Sequence, residues 1–205
     1  MGIYGDHVLP RIINRAGATG QTPELRTRVC AGLAGDVVEI GFGSGLNVPH
    51  YPGTVHHVDA IEPSDTAWRL AQTRMAESAV PVQRSGLDGQ SLPFPDDRFD
   101  SALSTWTLCT IPDLRVALAE LRRVLKPGGK LHFLEHGLAP DRNVQRWQHR
   151  FEPIQRRIAG GCHLTRAIPD SLTAAGFILT DLDAFYETGA PKILSAQSLG
   201  VAVSP

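Results

Sequence analysis

The sequence predicts an α/β protein: a doubly wound, mostly parallel seven-stranded sheet that closes in an antiparallel hairpin and is preceded by a helical cap. Three observations carry that prediction. A short β-branched run, DVVEI at 36–40, opens directly into Gly41, Gly43 and Gly45. Strand-like and helix-like patterns then alternate along the chain, which favours right-handed βαβ units. The last two strand-like segments, 177–186 and 192–204, are separated by a few residues, too few for a crossover helix, so they must pair antiparallel.

The elements follow in order. Residues 1–35 are mixed and polar, broken by Pro10 and Pro23, with short helices expected near 9–15 and 23–33. They form an N-terminal helical lid ahead of a main domain at 36–205. HHVDAIE at 56–62 is the second strand. Ser64 suits an N-cap for a helix over 64–78, where Ala67, Leu70, Ala71 and Met75 are spaced for one face. Strands three and four are 81–86 and 99–105. The helix at 113–125 is the clearest in the chain: Asp113 caps it, Leu114, Ala117, Leu118, Leu121 and Leu125 share a face, and Pro127-Gly128-Gly129 stops it. KLHFLEH at 130–136 is the fifth strand, and helices are expected at 143–158 and 170–176.

Composition narrows the function. The 205 residues suit one domain with a modest cap, and 20 basic against 21 acidic residues leave a formal charge of −1. That balance disfavours a whole-chain pull toward nucleic acid or an anionic membrane and leaves a local patch open. The arginines of 142–157 read as a solvated helical face, and Trp68 and Trp147 as packing residues. Cys30, Cys109 and Cys162 are odd in number and form no C-x-x-C pair, so neither a disulfide framework nor a zinc ribbon is written here. Buried free thiols in a cytoplasmic protein are expected. No apolar run reaches 18 residues, and MGIYGDHVLP lacks the pattern of a signal peptide.

The chemistry sits at the strand ends. Glycines after the first strand let the backbone turn sharply and let a ligand lie against bare main chain. Glu62, 21 residues after Gly41, ends the second strand, where a carboxylate can accept hydrogen bonds from ribose hydroxyls. Together they point to an adenosine-bearing cofactor. Leu46 fills the last glycine position of the dinucleotide fingerprint, which disfavours a nicotinamide cofactor.

DGQSLPFPDDRFD at 88–100 and LRRVLKPGG at 121–129 complete a pattern. With the glycine loop and the strand-two acid, it resembles the class I S-adenosylmethionine-dependent methyltransferases, a Rossmann-like fold, in the branch of the ubiquinone/menaquinone C-methyltransferases. From residue 135 onward, EHGLAP, GCHLTRA and GVAV are similar to the thiol methyltransferase-like group. The resemblance implies S-adenosyl-L-methionine as cofactor and S-adenosyl-L-homocysteine as product. It places Glu39, Gly41, Gly43 and Asn47 at the methionine end, Glu62 at the ribose, Pro63 beside the adenine, Asp88 and Gly89 near its amino group, and Thr105 and Trp106 at the sulfonium side. Phe42 and Leu87 depart from the usual family residues.

Methyl transfer is expected to rest on positioning, with a base required only for a poor nucleophile. Glu135 and His136 end the fifth strand on opposite sides and are the candidate catalytic residues, with Asp141, Asn143, His149 and His163 further on; His132 is structural. Tyr4, His7 and Arg11 of the lid are expected to reach toward the site. The polar residues there favour O-methylation of a soluble sugar or secondary metabolite. The alternatives are S-methylation of a small thiol, C-methylation of a quinone-like ring, or a cofactor-binding partner subunit that transfers nothing. The only partner called is a small-molecule acceptor, with a homodimer as a general prior; no metal-ligand spacing, nucleic-acid surface or membrane segment is diagnostic.

Overall fold

A computed structural model describes residues 4–205. A π-helical turn, Tyr4–Val8, leads into α1 (Leu9–Ala16) and α2 (Thr22–Cys30). The sheet and its helices follow: β1 (Gly35–Ile40), β2 (Val55–Ile61), α3 (Asp65–Ala76), β3 (Val82–Gly86), β4 (Phe99–Thr105), α4 (Leu114–Val124), β5 (Leu125–His136), α5 (Arg142–Ile158), α6 (Ile168–Ala174), β6 (Ile178–Tyr186), α7 (Lys192–Ser195) and β7 (Ala196–Val203). The seven strands lie in the order β3-β2-β1-β4-β5-β7-β6. The first five are parallel, and β7 runs antiparallel between β5 and β6. The order reverses between β1 and β4, the switch point at which doubly wound sheets bind ligands beyond the carboxyl ends of their strands.

Alternation along the strands sorts side chains to two faces. Val38, Ile40, Ala102, Leu131 and Phe133 pack with Leu118, Leu121 and Leu172 of α4 and α6. Val37, Leu103, Leu134 and Leu199 pack with Leu25, Val29 and Cys30 of α2. The N-terminal segment therefore closes one layer of the core. The expected caps are present: the Ser64 hydroxyl accepts from the Ala67 N–H at 3.2 Å, and the Asp113 carboxylate accepts from the Val116 N–H at 3.2 Å.

Two strand starts differ from the sequence reading by several residues. The fifth strand begins at Leu125 rather than after the glycines, because Leu125 already pairs with Phe99. The Pro-Gly-Gly turn is built into it: the Gly128 N–H donates to the Ser204 carbonyl at 2.7 Å, and the Ser204 N–H donates to the Gly129 carbonyl at 2.9 Å. The last strand begins at Ala196 rather than 192. Pro191 opens a helical turn there, with the Leu194 N–H on the Pro191 carbonyl at 2.9 Å. None of the described helices is long and apolar enough to cross a membrane.

His132 is buried beneath α2, and its Nδ1 meets the Val29 carbonyl at 3.0 Å. Burial lowers its pKa from 6.5 to about 4. The unfolded chain therefore binds the extra proton between those values, and the stability that neutral His132 gives is lost as pH falls through that window. Comparing wild type with His132→Gln by denaturant unfolding between pH 7 and 4 should isolate a pH-dependent difference on the order of 2 kcal/mol. Parallel curves would show that His132 does not titrate this way.

Candidate active site

The glycine loop is a backbone device. Gly41, Gly43 and Gly45 have φ of 68°, 61° and 71°, the left-handed region that side chains avoid. A Cβ on Gly41 would stand 2.0 Å from the Thr107 hydroxyl, so the loop also requires glycine for its approach to the chain after β4. At Gly43 the nearest atom to such a Cβ would be 3.8 Å away, so bare backbone faces open space. The Gly41 N–H donates to the Ile61 carbonyl at 2.9 Å, which pins the loop to the end of β2. Phe42, unusual for the resembled family, is buried against Trp68 with ring centroids 5.3 Å apart and braces the loop on α3.

Glu62 accepts from the Gly43 N–H and the Ser64 N–H, each at 2.6 Å. Burial raises its pKa, and these two bonds oppose the rise. A carboxylate has about four lone-pair sites, so two bonds leave acceptor capacity for a vicinal diol. Pro63 is exposed beside it.

Behind the loop lies a buried polar cluster. The Asn47 amide donates to Glu39 Oε1 at 2.8 Å and to the Thr105 hydroxyl at 3.0 Å. The Tyr51 hydroxyl donates to Glu39 Oε2. Arg26, from α2, donates through Nη1 to Asn47 Oδ1 at 2.6 Å, and its guanidinium stacks 4.8 Å above the Trp106 ring. Burial raises the Glu39 pKa to about 7, although Tyr51 and Asn47 hold it down, and burial lowers the Arg26 pKa to about 10. Arg26 Nε and Ser44 Oγ are buried without a protein partner. Unspent donors beside an open glycine cradle fit a carboxylate-bearing adenosine cofactor such as S-adenosylmethionine.

Trp106 has φ of +52°, a costly conformation for a bulky residue. Its backbone N–H on the Leu134 carbonyl at 2.8 Å and its indole N–H on Gln197 Oε1 at 3.0 Å hold it there. The structure thus joins Glu39, Gly41, Gly43, Asn47, Glu62, Thr105 and Trp106 in one region. Gly89 packs beside Ile40 at its rim. Asp88 is exposed, with Oδ1 accepting from the Gln90 N–H at 2.8 Å.

At the end of β5, Glu135 and His136 do point to opposite sides. Glu135 is fully buried. Its Oε1 accepts from the Ser104 hydroxyl at 2.6 Å and from the N–H groups of Thr107 and Leu108 at 3.1 and 3.0 Å; its Oε2 accepts from the Cys109 N–H at 3.1 Å. His136 is half-buried, its ring centroid 6.1 Å from that of Trp106, and one of its ring nitrogens lies within 4.8 Å of the Cys109 and Cys162 thiols. Cys162 in turn lies 3.6 Å from Cys109. That contact holds Cys162 below the ordinary thiol range and Cys109 above it. All three cysteines are free and buried, as expected.

The other candidates lie apart. His163 Nδ1 pairs with Glu152 at 2.9 Å, Asp141 accepts from the Tyr186 hydroxyl at 2.8 Å, and Asn143 and His149 are exposed. In the N-terminal segment, His7 Nδ1 meets the Thr66 hydroxyl at 3.3 Å and the Arg11 guanidinium donates to the His7 carbonyl. The Tyr4 side chain lies outside the described residues. Sequence reading missed Arg26, Tyr51 and the Cys109–Cys162 approach. Only Arg26 left a signal, a charge on the helix face that carries Leu25, Val29 and Cys30.

Comparison with known proteins agrees with this geometry. Residues 38–133 match the family described as "Methyltransferase domain". The chain is 34% identical over 154 residues to Thiol S-methyltransferase TMT1B of Homo sapiens, covering 71% of this chain and 62% of that protein. It is 31% identical over 121 residues to a demethylmenaquinone methyltransferase of Clavibacter sepedonicus, covering 58% of this chain and 49% of that one. The chain thus spans about 60% of the length of its thiol-methyltransferase relative. A SAM-dependent methyltransferase from Aquifex aeolicus superposes with a TM-score of 0.65 at 17% identity, over 96% of this chain and 98% of that one. The chain has the class I S-adenosylmethionine-dependent methyltransferase fold and is related to the thiol- and quinone-methyltransferase families.

Glu62→Gln keeps one acceptor oxygen and loses the charge. Hydrogen bonds to charged groups contribute ~1.5–3 kcal/mol. Calorimetric titration with S-adenosylhomocysteine should show Kd rising at least about tenfold; an unchanged Kd would remove Glu62 from the ribose site.

Proposed function

We propose that this chain, a methyltransferase by fold, moves the methyl group of S-adenosylmethionine to the sulfur of a small thiol. The observation that carries the reading is the state of Glu135. All of its hydrogen bonding is directed to Ser104 and the backbone of residues 107–109, so it serves as a positioning residue and not as a proton acceptor. A hydroxyl acceptor, with a pKa near the ~15.7 of water, needs a free base at this place. A thiol, with a pKa of about 8.5, does not. The expectation of O-methylation rested on polar residues at and after the end of the fifth strand; Glu135 is sequestered, and the His136 ring lies beside the Cys109 and Cys162 thiols. The likeness to the thiol methyltransferase adds support.

When bound, S-adenosylmethionine supplies a methyl group already activated on a sulfonium. The chain's part is to hold and enclose. Glu62 accepts from the ribose hydroxyls, Arg26 and Ser44 donate to the methionyl carboxylate, and Glu39 with Asn47 and Tyr51 keeps the loop in register. Asp88, Gly89 and Pro63 flank the adenine. Trp106 and His136 line the acceptor's approach. Residues 1–35 act as a lid that also contributes Arg26 to the site.

The test is methyl transfer from labelled donor to a small alkyl thiol, with phenols, sugars and quinols run in parallel. Label on the thiol sulfur is the expected result. Label only on oxygen or ring carbon would overturn the assignment of the acceptor atom, and donor binding without transfer to any acceptor would favour a partner-subunit role.

A further inference from the structure

We propose that Cys109, His136 and Cys162 form a three-ligand site for Zn²⁺, with its fourth position open to the acceptor. Among the described residues these three side chains bring their ligand atoms within 4.8 Å of one another. The two sulfurs are 3.6 Å apart. In tetrahedral zinc, with Zn–S near 2.3 Å and Zn–N near 2.0 Å, sulfurs stand roughly 3.8 Å apart and sulfur and nitrogen roughly 3.5 Å. The pair is therefore already at the edge length of such a site. A disulfide, at about 2.05 Å, would require the sulfurs to close by more than an ångström.

The site is built from both sides. The two ligand-bearing loops are joined by the His163 N–H on the Cys109 carbonyl at 2.8 Å. The Cys109 N–H is held by Glu135, and the Arg166 guanidinium donates to the Leu108 carbonyl at 2.6 Å. Both thiols are buried, and His136 is the half-buried member that opens toward Trp106. Two thiolates and the Glu135 carboxylate offset the charge of a divalent ion beside Arg166. The residues are spread from 109 to 162, so no spacing motif announces them.

Three protein ligands and an open fourth position are the arrangement of catalytic rather than structural zinc. A thiol that coordinates there loses its proton to solvent. Its sulfur then forms the bond to the methyl carbon as the bond from that carbon to the sulfonium breaks. The product thioether, a weaker ligand than a thiolate, leaves together with S-adenosylhomocysteine. This last part rests on the thiol reading; the metal site does not.

The test uses the full chain, purified reduced and loaded separately with Zn²⁺ and Co²⁺. Elemental analysis after dialysis should find one equivalent of zinc, and the cobalt form should show a thiolate-to-metal charge-transfer band. Cys162→Ser should weaken zinc binding at least tenfold. His136→Asn, at a less buried position, should do the same while the circular dichroism spectrum stays native. A wild-type chain that retains no zinc, or in which Cys109 and Cys162 form a disulfide instead, overturns the site. Zinc retained without thiol methylation overturns the acceptor assignment and leaves the site standing. Thiol methylation undiminished after metal removal overturns the catalytic role of the fourth position.

An independent observation concerns α5 and α1, and the geometry points to a surface that lies on an anionic bilayer. Trp147, Phe151, Ile154 and Ile158 recur at helical spacing along one side of α5 and are 57%, 38%, 52% and 56% exposed. Leu9, at the start of α1, abuts Gly160 just beyond α5, and Ile12 and Ile13 of α1 are 51% and 53% exposed. Arg146, Arg150 and Arg157 are exposed on the side adjoining the apolar stripe. An apolar stripe bearing tryptophan and flanked by arginine matches a helix in the headgroup plane, and the arginines select anionic lipid. Co-sedimentation with phosphatidylglycerol vesicles should capture the full chain, with at least tenfold less bound to phosphatidylcholine or to the double variant Phe151→Glu, Ile154→Glu. Absence of binding overturns the proposal. So does a dimer in sedimentation velocity that the same variant dissociates, which would make the face an interface between copies.

Discussion

The ligand end of this sheet depends on one buried interaction, the Glu39–Asn47–Arg26 cluster. It joins β1, the glycine loop, α2 and, through Thr105, the end of β4. Burying a carboxylate and a guanidinium is costly, and the attraction between them offsets that cost only when their hydrogen bonds are well placed. Asn47 meets that demand from the middle: its amide nitrogen donates to Glu39, and its amide oxygen accepts from Arg26. Loss of any member leaves another buried and unsatisfied, so the cluster fixes the loop's position more firmly than its glycines alone can. Glycine permits the turn; the cluster selects where it goes.

A second carboxylate, Glu135, does the same at the other end of the switch point. It gathers a side chain of β4 and three consecutive backbone N–H groups beyond it, so the chain leaves β4 along a fixed path. That path puts Thr107 against Gly41, turns Trp106 into its left-handed conformation and delivers Cys109 to Cys162. The two acids thus divide the site. On the proposed function, Glu39 organises the half that would hold the donor and Glu135 the half an acceptor would enter.

This division explains what the sequence made legible. The strands, the caps at Ser64 and Asp113, the glycine loop and Glu62 are local features, readable because backbone conformation and periodicity are written over a few neighbouring residues. Arg26 enters the site from α2, 79 residues from Thr105. Cys162 meets Cys109 across 53 residues. Such meetings depend on topology and register, which periodicity does not encode. Glu135 illustrates the limit: its place at the end of the fifth strand is legible in the sequence. Whether its oxygens were free depended on how the chain returned after β4.

The same logic bears on chemistry. A methyl donor that carries its own activation asks little of the protein beyond alignment, so the donor half can stay constant while the acceptor half varies. In the proposed function the acceptor half is assembled from segments after β4 and β5: a loop tied down by Glu135, an imidazole beside Trp106, and two thiols brought from separate loops. Acceptors differ mainly in how readily they give up a proton, and a soft nucleophile suits an approach at which the buried carboxylate, Glu135, is already occupied. The polar residues at and after the end of the fifth strand suggest an oxygen acceptor in the sequence; the hydrogen bonds of one of them, Glu135, argue instead for sulfur.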